Sequence, residues 1–155
     1  MQSILQPVSL RRAIVHACDE VRVSYAGQQI RLEGSPDLQV LADGNELIQI
    51  LRNLVDNAAK YSPVNTPVDI SWFVESRRVV IEVRDHGSGV PEMGRDRLFT
   101  RFGRIAGSFA RPGHSSTGLG LYLSRRLAES MGGQLNLEAN GPESATFRLC
   151  LQPLA

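Results

Sequence analysis

The segment that decides the fold is residues 44–61, GNELIQILRNLVDNAAKY, which Ser62 and Pro63 follow. Its apolar residues recur at the spacing of one helical face, and Asp43 or Asn45 can cap its start. At about 100° per residue, its polar side chains fall within a stripe of about 80°. That stripe consists of Glu46, Gln49, Asn53, Asn57 and Lys60, and the opposite side carries Leu47, Leu51, Leu54, Val55 and Ala58.

Two asparagines in the middle of this helix, Asn53 and Asn57, suggest a use beyond solvation. Asparagine is a poor helix former because its side chain competes for backbone hydrogen bonds. Amide oxygens facing one way can hold a hard cation such as Mg²⁺. Lys60, the one lysine among 17 basic residues, can then contact a phosphate, and Tyr61 offers an aromatic face to a base. The alternative is an ordinary solvated face, and spacing alone leaves both open.

Helices and strands alternate on either side of this segment. Periodicity predicts helices over residues 8–25 and 119–131, the first capped by Ser9. Residues 86–117 lack periodicity, and a stretch of that length favours either a functional lid or disorder. We expect one α+β domain over residues 1–155, a two-layer sandwich with a mixed sheet covered on one face by helices. Strands are predicted over residues 29–33, 38–42, 68–74, 79–85, 134–139 and 145–151.

Asp85 ends an apolar strand and precedes Gly87 and Gly89. By alternation it shares the face of Val79 and Val83, which points it toward the buried layer. A carboxylate there can accept from an exocyclic amino group of a base, and the glycines allow a ligand to approach the backbone. The alternative is an Asx turn into residues 86–87, because this spacing is common in turns.

A second glycine-containing stretch, STGLGL at residues 116–121, opens the last predicted helix. Free backbone N–H groups at a helix start, with glycines beside them, suit a phosphate. The P-loop pattern and the third glycine of a dinucleotide fingerprint are both absent from the sequence. A simple glycine-rich helix entry is the alternative.

In this order the motifs resemble those of sensor histidine kinases, within the GHKL ATPase superfamily. Residues 53–62 (NLVDNAAKYS) resemble the N-box, and residues 85–91 (DHGSGVP) the first glycine box. Residues 98–104 (LFTRFGR) resemble the F-box, and residues 117–121 (TGLGL) the second glycine box. The resemblance spans nearly the whole chain. It implies a five-stranded mixed sheet backed by three helices, with ATP held between the helices and a lid.

The resemblance also implies roles for individual residues. Asn57 would coordinate Mg²⁺ directly, Asn53 would assist through water or the phosphates, and Lys60 would contact phosphate. Tyr61 would pack on adenine, and Asp85 would accept from the adenine amino group, helped by a water at Thr146. The remaining nucleotide-binding positions it implies are Gly87, Gly89 and Val90 around the base, Arg104 in the lid, and Thr117, Gly118, Leu119, Gly120 and Leu121 at the phosphates.

Composition excludes several other classes of protein. The net charge of +1 offers no excess for nucleic acid or an anionic membrane. Cys18 and Cys150 lack metal-ligand spacing. No apolar run approaches the roughly 20 residues of a membrane span. We therefore expect a cytoplasmic domain without nucleic-acid or membrane contact, with any inner-membrane anchor lying upstream in a longer kinase.

The expected reaction is transfer of the γ-phosphate of Mg-ATP to a histidine. His16 lacks the following proline of a phosphoacceptor motif, so the acceptor would lie on a separate dimerisation domain, with a response regulator receiver domain downstream. One rival is a GHKL ATPase-type conformational module or an anti-sigma-like serine kinase, but those relatives carry a glutamate where Asn53 stands, and asparagine cannot take a proton. The other rival is a non-catalytic, nucleotide-gated binding module.

Overall fold

The computed structural model describes residues 3–87, 99–100, 120–141 and 144–154. Three helices and seven strands lie in this described part of the chain. In chain order they are β1 (Gln6–Ser9), α1 (Leu10–Ser24), β2 (Ile30–Gly34), β3 (Gln39–Ala42), α2 (Gly44–Tyr61), β4 (Val68–Glu75), β5 (Arg78–Asp85), α3 (Gly120–Ser130), β6 (Gln134–Gly141) and β7 (Ser144–Leu151).

Five strands form one mixed sheet in the order β2-β4-β5-β7-β6. The pair β2–β4 is parallel, and the other three pairs are antiparallel. Alternate residues of the central strands are buried against the helices, as Val79, Ile81 and Val83 are on β5. The predicted α+β sandwich with a five-stranded mixed sheet and three helices is therefore confirmed.

The sheet is not the only one, which differs from the single sheet that periodicity predicted. β1 and β3 form a separate antiparallel pair, in which Gln6 lies opposite Ala42 and Ser9 opposite Gln39. The strand at residues 6–9 was not predicted, because four residues beside a strong helical pattern carry too little alternation to be recognised. An isolated bridge joins Val40 of the small sheet to Pro153, two residues beyond the end of β7.

Helix α2 lies at the centre of the helical layer. The Oδ1 atom of Asp43 accepts from the backbone N–H of Glu46 at 3.2 Å, so Asp43 is the N-cap that the sequence offered beside Asn45. The apolar side predicted for this helix is buried, with Leu47, Leu51 and Leu54 fully covered. From its polar stripe, Asn53 contacts α3.

Residues with positive φ occur in the turns beside β5 and α3. Ser76 and Arg77 both adopt positive φ, of 50° and 62°, in the two-residue turn joining β4 to β5. Gly132 has a φ of 75° in the turn that joins α3 to β6. None of the helices in the described ranges is long and apolar enough to cross a bilayer.

Candidate nucleotide site

Asn53 joins the two helices that carry the N-box and the second glycine box. Its Nδ2 atom donates to the Oγ atom of Ser124 at 3.1 Å and to the carbonyl oxygen of Gly120 at 3.4 Å. Ser124 is fully buried on α3, and its role was not predicted. The spacing of four residues from Gly120, which puts both on one helical face, is the signal that could have revealed it. The amide nitrogen of Asn53 is thus engaged by α3, and its oxygen is the atom it can offer a ligand.

Asn57 and Lys60 follow Asn53 along the same stripe of α2. Asn57 is half-buried one turn later. Lys60 is buried, and its Nζ atom lies 3.6 Å from the Oδ2 atom of Asp56, so its charge is paired within the helix. A phosphate contact by Lys60 would have to compete with this ion pair.

The end of β5 closes against the C-terminal end of α2. The Asp85 side chain is only 5% exposed, and its Oδ1 atom accepts from the backbone N–H of Gly87 at 2.9 Å. A Cβ on Gly87 would lie 2.3 Å from the carbonyl oxygen of Tyr61. The Asx turn offered as an alternative is therefore present, and the backbone at Gly87 approaches α2 as only glycine allows.

The electrostatics of Asp85 are set mainly by its burial. Loss of solvation raises the pKa of the Asp85 carboxyl, while the backbone N–H groups of Gly87 and Ala145 and the nearby His86 and Arg84 lower it. A buried carboxylate that backbone N–H groups hold in place can accept a hydrogen bond from a neutral donor, such as an amino group on a base.

The strand register places one further predicted residue, Thr146, close to Asp85. Ala145 lies opposite Asp85, and Thr146 is next to it, opposite Arg84. Thr146 is therefore one position from the Asp85–Ala145 pair, and its water-mediated contact stays a prediction. Leu121 is half-buried at the start of α3 and packs against the core.

Several predicted residues lie outside the described residues. They are Gly89, Val90, Arg104, Thr117, Gly118 and Leu119.

The donor set beside α2 fits a magnesium nucleotide better than a metal held by protein alone. Among the described residues, no group of three or more His, Cys, Asp and Glu side chains could hold a metal ion. Asn53 and Asn57 supply neutral amide oxygens, which suit Mg²⁺ when substrate phosphates and waters complete its octahedron. The residues present thus fit a cation that arrives with its phosphates.

A mixed sheet backed by three helices, with Asn53 of α2 in contact with Gly120 and with Gly87 close to Tyr61, is the arrangement expected of a histidine-kinase-type ATPase domain. The chain belongs to the family described as histidine kinase-, DNA gyrase B- and HSP90-like ATPases, whose model matches residues 42–155. The resemblance drawn from the motifs is confirmed.

Known proteins similar to the chain are sensor kinases. The swarming motility regulation sensor protein RssA of Serratia marcescens is 37% identical over 129 residues, which are 81% of this chain and 27% of RssA. The mycobacterial sensor histidine kinase MprB superposes with a TM-score of 0.82 at 25% identity, covering 97% of this chain and 100% of the MprB chain. Full-length ShkA in complex with AMPPNP has a TM-score of 0.80 at 28% identity, covering 97% of this chain and 31% of the ShkA chain. The chain thus spans only 27% of the length of RssA.

Proposed function

We propose that this domain binds Mg-ATP beside α2 and transfers the γ-phosphate to a histidine on a separate phosphoacceptor domain. The observation that carries the proposal is the contact of Asn53 with Gly120 and Ser124, because it brings the N-box and the second glycine box together. The likeness to sensor kinases supports the same reaction. We further propose that residues 1–155 are one catalytic domain of a longer two-component sensor kinase.

The proposed roles divide the site into a phosphate part and a base part. Asn57 would hold Mg²⁺, with Asn53 and Lys60 beside the phosphates. Asp85 would accept from the adenine amino group, and Tyr61 would pack on the ring. The cation would neutralise charge on the phosphate oxygens. The nucleotide would also contact the backbone at Gly120 and Leu121 and the side chain of Thr146. The resemblance alone supports the roles of the remaining positions, which are Gly87, Gly89, Val90, Arg104, Thr117, Gly118 and Leu119.

The chemistry asks the domain mainly for positioning and charge neutralisation. An imidazole nitrogen of the partner attacks the γ-phosphorus, a P–N bond forms, and the P–O bond to ADP breaks. The imidazole gives up its ring proton to solvent. Asn53 cannot act as a base for water, so the domain alone should hydrolyse ATP slowly.

The proposed partners follow from the separation of the ATP-binding domain from the histidine that accepts the phosphate. The acceptor histidine would belong to the dimerisation domain of the same kinase, and a receiver domain of a response regulator would take the phosphate from it. Because ATP is the substrate, we propose that the domain works in the cytoplasm, with any membrane anchor of the kinase elsewhere in the protein.

The test is to incubate the domain with labelled Mg-ATP and a separately purified acceptor-histidine domain. Acid-labile phosphate on the acceptor supports the proposal. Free phosphate alone would indicate an ATPase module instead, and nucleotide binding without either product a gated binding module. A turnover of about 1 s⁻¹ by the isolated domain, the low end for kinases, would also contradict the proposal.

A further inference from the structure

We propose that His86 is a positioning residue for the base-binding turn, held by a hydrogen-bonded chain from Arg31 through Asp69. The inference rests on the proposed function, because the turn matters only if Asp85 receives a base. His86 lies between Asp85 and Gly87, the two residues that form the Asx turn at the end of β5.

Asp69 is the centre of this chain, on the face of the sheet that the helices do not cover. It lies between the buried Val68 and Ile70 on β4, so its side chain points away from the helical layer. In the register it is opposite Arg31 of β2. The Arg31 guanidinium donates from Nε to Oδ1 at 2.5 Å and from Nη2 to Oδ2 at 2.9 Å. This bidentate pair fixes the carboxylate.

His86 completes the chain at the same carboxylate. Its Nε2 atom lies 2.9 Å from the Oδ2 atom of Asp69, and both side chains are 29% exposed. The hydrogen bonds from Arg31, followed by the one from His86, lower the pKa of the Asp69 carboxyl. Asp69 is therefore ionised at neutral pH, and the His86 ring donates its Nε2–H to it. In the described part of the chain, Arg84, which is opposite Asp69 on β5 and exposed, is a further charged group on this face, and Glu82 lies two residues before it.

The position of His86 in the chain explains why this contact bears on the site. β5 ends at Asp85, so strand pairing no longer holds the next residue. The turn is fixed on the inner side by the Asp85–Gly87 hydrogen bond and by the close approach of Gly87 to Tyr61. His86 fixes it on the outer side. With both sides held, the Asp85 carboxylate keeps the direction needed to accept from a base.

The molecule also contains a matched chain that touches no part of the site. Arg52 donates to Glu20 Oε2 at 3.1 Å, and His16 Nε2 lies 3.0 Å from Glu20 Oε1. This arginine–carboxylate–histidine chain lies on the exposed surface of α1 and α2, and the His16 side chain is 57% exposed. His16→Ala therefore removes the same type of hydrogen bond without touching the turn.

The experiment measures Mg-ATP and Mg-GTP affinity and melting temperature for the unchanged chain, His86→Ala, His86→Gln and His16→Ala. We expect His86→Ala to weaken Mg-ATP binding about fivefold to tenfold. It should reduce the preference for ATP over GTP by a similar factor, because the Asp85 carboxylate, which would accept from the adenine amino group, loses its orientation. Glutamine can donate to Asp69 and should restore most of both. His16→Ala should change neither.

The outcomes separate this inference from the function on which it rests. If the unchanged chain does not bind Mg-ATP, the proposed function fails. If it binds and His86→Ala keeps full affinity and preference, only the positioning role is overturned. An equal loss of ATP and GTP binding with a lower melting temperature would likewise overturn it, because that is a merely structural effect.

A second variant covers the case in which His86→Ala does not fold. Asp69→Asn weakens the acceptor while leaving the histidine in place, and it should reproduce the loss of ATP preference. An Asp69→Asn variant that keeps the full preference for ATP would overturn the chain as described. Where His86→Ala does fold, its combination with Asp69→Asn should be non-additive, because both changes act on one hydrogen bond, and full additivity would overturn the chain as well.

Discussion

Asn53 and Asn57 lie one turn apart on α2, but the structure gives them different surroundings. Asn53 contacts the buried Ser124 and the carbonyl oxygen of Gly120 on α3, so it serves packing as well as any ligand. Asn57 is half-buried on the same stripe. The two asparagines should therefore respond differently to the same substitution.

Asn57→Ala should lower phosphotransfer by more than about 100-fold and weaken Mg-ATP binding without lowering the melting temperature. Alanine is the better helix former, and a direct Mg²⁺ ligand has no substitute in a strict octahedron. Asn53→Ala should instead cost about 1–3 kcal/mol of folding stability, because it leaves the buried Ser124 hydroxyl without this partner. Titration calorimetry, thermal melting and the phosphotransfer assay measure the three effects. Asn45→Ala, exposed on the same helix, is the control. Unchanged binding and transfer in Asn57→Ala would refute the N-box assignment.

Gly87→Ala and Gly120→Ala should separate a glycine needed by the fold from one needed by a ligand. A Cβ at residue 87 would lie 2.3 Å from the Tyr61 carbonyl oxygen, so this change should destabilise the fold by roughly 1–3 kcal/mol. A Cβ at residue 120 would make only ordinary contact with Asn53, at 3.9 Å or more. Gly120→Ala should therefore keep its denaturation midpoint while binding ATP more weakly. A large stability loss at Gly120, or none at Gly87, would contradict the packing described here.

Asp85 should make stability depend on pH in an unusual direction for a carboxylate. Burial raises its pKa above the ordinary value of 3.8, so the folded state binds this proton more tightly than the unfolded chain does. The stabilisation from protonation is fully present below the unfolded pKa and is lost as pH rises through the folded pKa. The stability of Asp85→Asn relative to the unchanged chain should therefore increase between pH 4 and pH 7. Urea unfolding across this range measures it, and a difference that falls with pH would exclude the effect.

At the scale of elements, α2 connects the sequence pattern to the site. Its apolar side is buried and Asn53 of its polar stripe contacts α3, so the helix cannot rotate without exposing core residues such as Leu51. Its start is fixed by one side chain with two contacts. Asp43 Oδ1 accepts from Glu46 N–H at 3.2 Å, and Oδ2 accepts from Ile4 N–H at 3.1 Å.

Asp43→Ala should destabilise the domain by about 1 kcal/mol or somewhat more, because it removes the cap of α2 and the link to the segment before β1. Asp43→Asn should retain most of the capping, since asparagine is an equally good N-cap residue. Urea midpoints of both variants test this. If both lose the same stability, the charge of Asp43 matters and capping does not.

At the scale of the whole molecule, burial separates the two cysteines. Cys18 is fully buried in the core on α1, and burial raises the pKa of its thiol to about 11. Cys150 is half-buried on β7, where it lies opposite Val80 of β5. Modification of Cys18 therefore requires the domain to open, whereas Cys150 needs much less movement.

A thiol reagent should modify Cys150 first and Cys18 only at the rate of unfolding fluctuations. Because Mg-ATP binds the folded state, nucleotide at 100 times its Kd should slow Cys18 labelling about 100-fold. A Cys150→Ser variant isolates the Cys18 reaction, and labelling in urea confirms that the thiol is reactive once exposed. Labelling of Cys18 as fast as Cys150, with no effect of nucleotide, would contradict both the burial and the binding.

Local patterns in the sequence determined most of the elements and the family. Asp43 and Ser9 as caps, the two-sided pattern of α2 and the motif within each box all depend on residues close in the chain. Such signals are legible because propensity and periodicity act over one or two turns. The class of ATPase could therefore be recognised before any contact was known.

Only the tertiary structure decided which of these residues meet. Asn53 and Ser124 are 71 positions apart, and the β1–β3 sheet, the approach of Gly87 to Tyr61 and the His86–Asp69 contact are likewise contacts between separate elements. It also buried Ser124, the α3 residue that the Asn53 side chain contacts. The physical reason is that these contacts depend on strand register and helix packing, which a short window of sequence does not specify.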